Sequence, residues 1–471
     1  MMIPLVCSLV LTIFCQPAFG YLDPGTGSML TSALLGLLAT LLFVLKGLYY
    51  KGLRWVLGYF GSKGNDATLR HELVFYSEGR QYWSTFKPVI DELVSRRVKC
   101  RYLTSDDKDP GLVYPSELAE SKYIGTGNKA YTYLRFLEAD VCVMTTPGLD
   151  VLQIKRSRGV KHYAHLMHAP TDAAMYKTYS FDYYDSILTS GNHQIRSIRK
   201  LEELRGASRK VLLKTGCLYY DEMKRRLKEL VPPPGSTKHK TVLVAPTWGA
   251  NGLLMKFGMR LLVPLLEMQY NVILRPHPQS FISESEMLGR LRDEIGHYSN
   301  LEWDNESDGM RSMSRADVMV SDLSGVVFDF ALLFEKPVLT LKYDLNRLGL
   351  EAADLPWDPW ELTVLDSIGK RVDEKELDNL PQIIEGEIER NDRKETIQHL
   401  RDGSVYNFGC AAEHVVNGLL HISDEIHSQA GNSKSKRQQS LSEDVFGSDY
   451  QNADKLVKRL SGFHRTFKNS P

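Results

Sequence analysis

The chain has 471 residues, more than one hydrophobic core usually serves, so two domains with appended segments are expected. Lysine plus arginine and aspartate plus glutamate each number 58, and this balance gives no support for a nucleic-acid-binding surface. The six cysteines form no Cys-x-x-Cys pair and no Cys/His cluster of ligand spacing, so no metal site is expected. The cysteines beyond residue 20 are interpreted as reduced core residues in a reducing compartment.

The chain opens with two apolar runs. The first lies within 1–20 and ends in small residues, so it is a candidate signal peptide or first apolar segment. The second predicts a transmembrane helix over 28–46, with a buried core helix as the alternative. Lys46 ends this segment and Lys51 and Arg54 follow it, and positive charge on that side predicts that the rest of the chain is cytoplasmic.

The body of the chain alternates short apolar runs with helical patterns, in two series. The first series of predicted strands is Glu72–Tyr76, Val98–Leu103, Ala139–Met144, His162–Met167, Ser186–Thr189 and Val211–Lys214. A proline-rich break over 231–240 follows. The second series is Thr241–Val244, Tyr270–Leu274, Leu301–Trp303, Val318–Val320 and Pro337–Leu341. This pattern is typical of parallel sheets covered on both faces, so we predict an α/β fold with two doubly wound domains facing a cleft.

The domain boundaries follow from these series. We expect a Rossmann-like acceptor domain over 69–230 and a Rossmann-like nucleotide-donor domain over 240–422. From 423 to 471 the chain is polar and poor in aliphatic residues, which is typical of a disordered tail.

Ligands of doubly wound sheets bind at the carboxyl ends of the strands, and His277 follows one such strand. Pro276 and Pro278 restrict the backbone on both sides of this histidine and stop the strand. A capping box over Ser283–Glu286 is predicted to begin the next helix and shorten the loop. A preorganised histidine beside Arg275 suits a phosphate group; the alternative is a loop histidine without a ligand.

A second candidate site is the turn after the predicted strand Val318–Val320. Asp322, Ser324 and Gly325 lie where this strand passes into a helix. The amino terminus of a helix offers free N–H groups and a partial positive charge, which suit an anion. Simple capping of the helix by serine or aspartate is the alternative, and both functions are compatible.

The first domain contributes the stretch "HLMHAPTDAAMYK". His168 follows a strand there, so it is predicted to face His277 across the cleft and to accept a proton from a hydroxyl. Asp172 is predicted to orient this histidine or to bind hydroxyls of the acceptor. His165, three residues earlier, is expected to point the other way. A loop histidine satisfied by backbone groups is the alternative for His168.

In this order, "HAPTD", "KTGCLYYD", "VAPTW", "RPHP" and "DVMVSDLSGVVFDFALLFEKPVL" resemble the CDP-glycerol glycerophosphotransferase family. These membrane-associated enzymes build teichoic-acid-like polymers on a GT-B scaffold. The likeness covers roughly residues 70 to 420, and its most specific block is Asp317 to Leu339. A further stretch that fits one branch of the family supplies Gly125 and Gly127 in a loop expected near the acceptor.

The resemblance implies roles for individual residues. His168 matches the general base of the family, and His277 matches the histidine that contacts the pyrophosphate. Ser324, with Asp322 and Gly325 beside it, matches the loop that holds the donor phosphates. Thr247 of the Ala-Pro-Thr-Trp block faces the same edge and is expected to assist.

The resemblance also implies a reaction. The family moves glycerol phosphate from CDP-glycerol to a hydroxyl and releases CMP without a required metal, so no cofactor is expected. The expected partners are a CDP-linked donor, a lipid-linked or polymeric hydroxyl acceptor and a membrane, but no nucleic acid. The expected location is the bacterial inner membrane.

Two other function classes remain open at this point. One is a GT-B glycosyltransferase that uses a CMP- or UDP-sugar, in which the same loops hold phosphates while attack falls on carbon. The other is a non-catalytic membrane-bound scaffold. The nucleotide released from each donor would distinguish the first of these from a phosphotransferase.

Overall fold

The computed structural model describes residues 72–230, 239–306, 308–342 and 345–429, with a few helical positions between 36 and 45. Three segments lie outside the described residues: the candidate signal peptide in 1–20, nearly all of 28–46, and the tail beyond 429. What the sequence predicts for them therefore stays a prediction. Within the described residues, no helix combines the length and the apolar character needed to span a bilayer. The chain divides into two compact units, Met1–Thr68 and Leu69–Pro471, and the fold below is that of the second.

The first sheet has seven strands, all parallel, in the order β3-β2-β1-β4-β5-β6-β7. Its strands are β1 Leu73–Ser77, β2 Cys100–Thr104, β3 Ala119–Tyr123, β4 Glu138–Met144, β5 Gly159–Leu166, β6 Ser186–Thr189 and β7 Val211–Lys214. Its helices are α1 Trp83–Ser95, α2 Asn128–Arg135, α3 Asn192–Arg205 and α4 Leu218–Glu229. The central strand β1 is buried at every position because helices cover both faces of the sheet.

The second sheet has six strands, also all parallel, in the order β10-β9-β8-β11-β12-β13. Its strands are β8 Thr241–Val244, β9 Asn271–Leu274, β10 Leu301–Trp303, β11 Val318–Ser321, β12 Val338–Leu341 and β13 Gly369–Val372. Its helices are α5 Leu253–Glu267, α6 Ser280–Ser283, α7 Ser285–Ile295, α8 Met310–Arg315, α9 Gly325–Phe334, α10 Trp360–Thr363, α11 Leu365–Ile368, α12 Leu380–Ile388 and α13 Arg393–Ser404.

The two strand orders confirm the predicted α/β fold with two parallel sheets. In each sheet the order reverses direction once, between β1 and β4 in the first and between β8 and β11 in the second. Loops diverge at such a reversal and leave a crevice outside the carboxyl ends of the strands. Each sheet therefore has a defined place for a ligand.

The last described helix, α14 over 411–429, belongs to the core of the first sheet. Val415, Val416 and Leu419 are fully buried there, in the same cluster as Leu73 and Phe75 of β1. The boundary expected at 422 groups this helix with the second sheet, whereas the chain crosses back to the first. The helix also runs seven residues into the segment expected to form a tail, because apolar positions on one of its faces continue to Ile426.

We expect Leu419→Ala to lower the free energy of unfolding by about 2–5 kcal/mol, because it leaves a cavity in the core of the first sheet. Glu413→Ala, at an exposed position of the same helix, should change stability by no more than about 0.5 kcal/mol. Urea unfolding followed by tryptophan fluorescence measures both. Equal stabilities of the two variants would show that this helix is not part of the core.

Candidate active site

His168 lies two residues after the end of β5, beside the end of β4. Its ring is half-buried, with the edge of Tyr82 at 5.3 Å between ring centroids. Its Nδ1 atom is 3.3 Å from the hydroxyl oxygen of Tyr176. Burial lowers the pKa of His168 below the ordinary histidine value of 6.5, because charging the ring would cost hydration. At neutral pH the imidazole is therefore uncharged, the state that a general base requires.

Tyr176 contacts Nδ1 of His168 and leaves Nε2 as the ring nitrogen available to a substrate. If Nδ1 carries the proton and donates it to the tyrosine oxygen, Nε2 keeps its lone pair for a substrate hydroxyl. Tyr176 lies on the loop after β5, between the residues of the His-Ala-Pro-Thr-Asp stretch and β6. Sequence reasoning missed this residue because a tyrosine eight positions downstream of a histidine carries no recognisable spacing.

Asp172 does not have the role that the sequence predicted for it. Its carboxylate is buried and accepts hydrogen bonds from the backbone N–H groups of Ala174, at 3.2 Å, and Trp360, at 3.1 Å. Its own N–H donates to Glu361 at 2.6 Å. Both carboxylate oxygens are thus committed to backbone groups, one of them on α10. Asp172 holds the His168 loop against the second half of the chain and does not orient His168.

His277 is exposed at the carboxyl end of β9, as the flanking prolines predict. Its Nδ1 accepts a hydrogen bond from the N–H of Gln279 at 3.1 Å, so the neutral ring carries its proton on Nε2. Nε2–H is then a donor at the open edge of the sheet. The predicted capping box does not form: Glu284 instead accepts the N–H of Gly249 at 2.6 Å and ties this loop to the one after β8.

Arg275 also differs from its predicted role in binding the donor. Its guanidinium donates to the carboxylate of Asp304 at 2.7 Å, and that carboxylate is buried. Ser312 donates to the same oxygen at 2.6 Å. The arginine therefore neutralises a buried carboxylate beneath the loop that carries His277, and its charge is already compensated.

Asp322 and Thr247 are hydrogen-bonded to each other. The buried carboxylate of Asp322 accepts the N–H and the hydroxyl of Thr247, both at 2.8 Å, and the N–H of Leu253 at 3.1 Å. These bonds join the turn after β11 to the loop after β8. Both residues therefore have a structural role, which fixes the two loops that flank the crevice of the second sheet, and their donor-binding role stays a prediction.

Ser324 and Gly325 lie where the sequence predicted, at the amino terminus of α9. Ser324 is the N-cap residue, and its side chain makes no capping hydrogen bond. A methyl group on Gly325 would meet no atom within 4 Å, so packing inside the protein does not demand glycine there. The amino terminus of a ten-residue helix carries N–H groups without helical partners and a partial positive charge, an arrangement that suits a phosphate.

The loop of His168 and helix α9 approach each other through Cys217 and Asp329. The Cys217 thiol lies 3.9 Å from the carbonyl oxygen of His168, and Asp329 of α9 acts electrostatically on the same thiol. Burial raises the pKa of Asp329 to about 7, while Tyr219 and Tyr220 oppose the rise. Helix α9 thus reaches from the open turn at its amino terminus to the surroundings of His168. Within the described ranges, no group of three His, Cys, Asp or Glu side chains could hold a metal ion.

Known proteins provide an independent comparison. The sequence profile of the CDP-glycerol:poly(glycerophosphate) glycerophosphotransferase family matches residues 97–349, more than half of the chain. No protein of curated function matches the sequence. The matched range includes His168, His277 and Ser324.

Solved structures match the chain at low identity. One structure of the wall teichoic acid polymerase TagF is 17% identical, with 83% of this chain and 98% of that chain covered and a TM-score of 0.48. A second TagF structure is 18% identical, with 81% and 98% covered and a TM-score of 0.49. The UDP-GlcNAc 2-epimerase from Methanocaldococcus jannaschii is 13% identical, with 74% and 99% covered and a TM-score of 0.49. On the strength of the profile match, the chain belongs to the CDP-glycerol:poly(glycerophosphate) glycerophosphotransferase family and is a transferase of that type.

Proposed function

We propose that this chain transfers glycerol phosphate, or a similar polyol phosphate, from a CDP-linked donor to a hydroxyl of a lipid-linked or polymeric cell-surface acceptor. The family match carries this proposal, because it spans the loops of His168, His277 and Ser324. We further propose that the segment 28–46 anchors the enzyme in the bacterial inner membrane, with the catalytic domains in the cytoplasm.

The crevice of the second sheet is the proposed donor site. The open amino terminus of α9 at Ser324 and Gly325 would receive the pyrophosphate, and Nε2–H of His277 would donate to one of its oxygens. The hydrogen bonds between Asp322 and Thr247 hold the two flanking loops in fixed relative positions. The donor site then needs little rearrangement on binding.

The proposed reaction is an in-line displacement at phosphorus. The acceptor hydroxyl attacks the β-phosphorus of the donor while its proton moves to Nε2 of His168. The bond from this phosphorus to the bridging oxygen breaks, and the electron pair leaves on CMP. His277 and the N–H groups of α9 stabilise the negative charge that develops there. The products are a phosphodiester, CMP and one proton.

A donor panel tests this proposal against the glycosyltransferase alternative. The purified enzyme is expected to release CMP from CDP-glycerol or CDP-ribitol in the presence of acceptor, and either donor should raise its melting temperature. Turnover of a CMP- or UDP-sugar, with no turnover of the CDP-polyols, would contradict the proposal and favour the alternative.

We expect His277→Ala to raise the KM for the CDP-linked donor by roughly 10- to 100-fold, the value of a hydrogen bond to a charged group. The fold should be unaffected, since this ring is exposed and its main contact is with its own loop. His297→Ala, at another exposed position of the same half, is the matched control. An unchanged KM in the His277 variant would remove this residue from the donor site.

A further inference from the structure

The second half of the chain reaches across the loop that carries His168. Residues 349–361, which follow β12 and end in α10, form a strap over this loop. The N–H of Glu351 donates to the carbonyl oxygen of Tyr176 at 2.8 Å, and a carboxylate oxygen of Glu351 accepts the N–H of Ser180 at 3.0 Å. The strap therefore holds the residue that contacts Nδ1 of the proposed base.

The other end of the strap meets Asp172. The N–H of Trp360 donates to Oδ2 of Asp172 at 3.1 Å, and the N–H of Asp172 donates to Oε1 of Glu361 at 2.6 Å. The indole of Trp360 stacks on the imidazole of His193, with 4.6 Å between ring centroids and 16° between planes. Nε2–H of His193 donates to the carbonyl oxygen of Pro170 at 2.6 Å. The loop is thus held by the strap on both sides of its short helical turn.

Two buried acid groups lie at this end of the strap. Asp172 and Glu361 are each only 2% exposed. In the described part of the chain the partners of both carboxyls are backbone N–H groups, and no lysine or arginine forms an ion pair with them. Two neighbouring negative charges repel strongly inside a protein, so the pair keeps one proton at neutral pH.

The hydrogen bonds place this proton on Glu361. Both oxygens of Asp172 accept a backbone N–H, from Ala174 at 3.2 Å and from Trp360 at 3.1 Å, which favours the charged form of this carboxyl. Glu361 accepts one N–H through Oε1, while its Oε2 is buried and has no hydrogen-bond partner in the described structure. An uncharged acid tolerates such a position far better than a carboxylate. Burial also raises the pKa of Glu361 to about 8, and Asp172 adds to the rise.

Other ionisable groups come from the elements packed around α10. They are Tyr176 from the His168 loop, His193 from α3, Cys217 before α4, Asp329 from α9 and Asp366 from α11. Burial raises the pKa values of Tyr176 and Cys217 and lowers that of His193 below 6.5, so these three are uncharged at neutral pH. The two remaining groups are acids. None of the five brings a positive charge that could balance a carboxylate at Glu361.

The arginines of the neighbouring elements are engaged elsewhere. Arg196 of α3 lies over the ring of Trp357 at 3.9 Å. Arg205 of the same helix pairs with Glu351. Around α11 and α13 the arginines form the ion pairs Arg371–Asp366, Arg393–Glu387 and Arg401–Glu335. Ionisation of Glu361 would therefore loosen the Asp172 end of the strap, while its middle stays attached to α3.

We propose that Glu361 is a positioning residue for His168: as a neutral acid it joins the strap to Asp172, and as a carboxylate it separates from Asp172 and frees the His168 loop. The inference rests on the proposed function, because it takes His168 as the group that deprotonates the acceptor. Glu361 acts through Asp172 and takes no part in bond making with the substrate. The one covalent bond that changes is its own O–H bond, whose proton passes to solvent.

The rate of transfer should therefore fall in alkaline solution. His168 stays neutral above its own pKa, so the base itself causes no loss there. Because one deprotonation frees the loop, kcat at pH 9 should be about tenfold or more below its maximum, with little change in the donor KM. Glu361→Gln keeps an oxygen for the N–H of Asp172 and cannot ionise, so its kcat should not fall up to pH 9. Glu389→Gln, at an exposed position after α12, should have the profile of the wild type.

Hydrogen exchange of the full-length protein provides a readout that needs no substrate. Opening of the loop is accompanied by the loss of one proton, so protection of the Asp172 and Trp360 amides, corrected for the intrinsic effect of pH, should fall about tenfold per pH unit between about pH 5 and 8. In Glu361→Gln this protection should not depend on pH.

The melting temperature of the Gln variant checks the sign of the effect. A carboxyl whose pKa is higher in the folded than in the unfolded protein makes the fold less stable as the pH rises between the two values. Glu361→Gln should therefore melt above the wild type at pH 8 and match it at pH 4, where the acid is largely uncharged in both states. A Gln variant that melts below the wild type at pH 8 would contradict the proposal.

The remaining outcomes are distinguishable. A wild-type kcat that stays level up to pH 9, an equal alkaline fall in Glu361→Gln, or amide protection that ignores pH would each overturn the role of Glu361 and leave the proposed transfer reaction standing. The expected exchange behaviour, together with failure to release CMP from any CDP-linked donor, would overturn the proposed function and leave the strap as inferred.

Discussion

His168→Ala is expected to lower the rate of glycerol phosphate transfer by roughly 10²- to 10⁴-fold, the usual contribution of a general base. Binding of the CDP-linked donor should persist, because the proposed donor loops lie on the second sheet and His168 lies on the first. Acceptor-dependent CMP release measures the first effect, and thermal stabilisation by CDP-glycerol measures the second. Wild-type transfer by this variant would remove His168 from the chemistry.

The pH dependence of the reaction tests the same residue. Only the neutral imidazole accepts a proton, so kcat/KM should fall as the pH drops through the pKa of His168. Because burial lowers that pKa, the fall should lie below pH 6.5 and not at the value of an exposed histidine. In Tyr176→Phe, Nδ1 loses its partner, so kcat should fall and the acid limb should shift, with little change in donor KM. A variant whose pH profile is that of the wild type would show that Tyr176 has a packing role only.

Asp322→Ala is expected to lower the free energy of unfolding by about 3–5 kcal/mol, because it leaves three donors without their acceptor in a buried position. The loops that carry Thr247 and Ser324 would no longer be held in fixed relative positions, so the KM for the donor should rise as well. Urea unfolding and donor kinetics measure the two effects. Asp322→Asn, which can accept part of these bonds, should be intermediate in both.

A matched control lies at the other end of the same strand. Asp317 precedes β11 and accepts one backbone hydrogen bond, from Thr241 at 2.8 Å. Asp317→Ala should therefore cost about 1 kcal/mol and leave the donor KM unchanged. If Asp322→Ala instead raised the donor KM with no loss of stability, Asp322 would be a direct ligand of the donor, as the sequence alone suggested.

The central strands were predictable because their burial leaves a direct mark on the sequence. Two strands in the middle of the second sheet, Thr241–Val244 and Val318–Ser321, are buried at every position. Their sequences are therefore short apolar runs. The edge strands β3 and β13 were missed. Ala119–Tyr123 and Gly369–Val372 pair on one side only and carry polar side chains, as edge strands commonly do.

The sequence by itself determined the two series of parallel strands and the placement of His168, His277 and Ser324 after them, because apolar runs, prolines and helix starts are local signals. Only the tertiary structure decided what the charged residues beside them do. Asp172 bonds to a backbone group 188 positions away, and Asp322 to one 75 positions away. A carboxylate at a loop looks the same in the sequence whether it meets a ligand or a distant N–H group, since its partner is set by the packing of the whole chain.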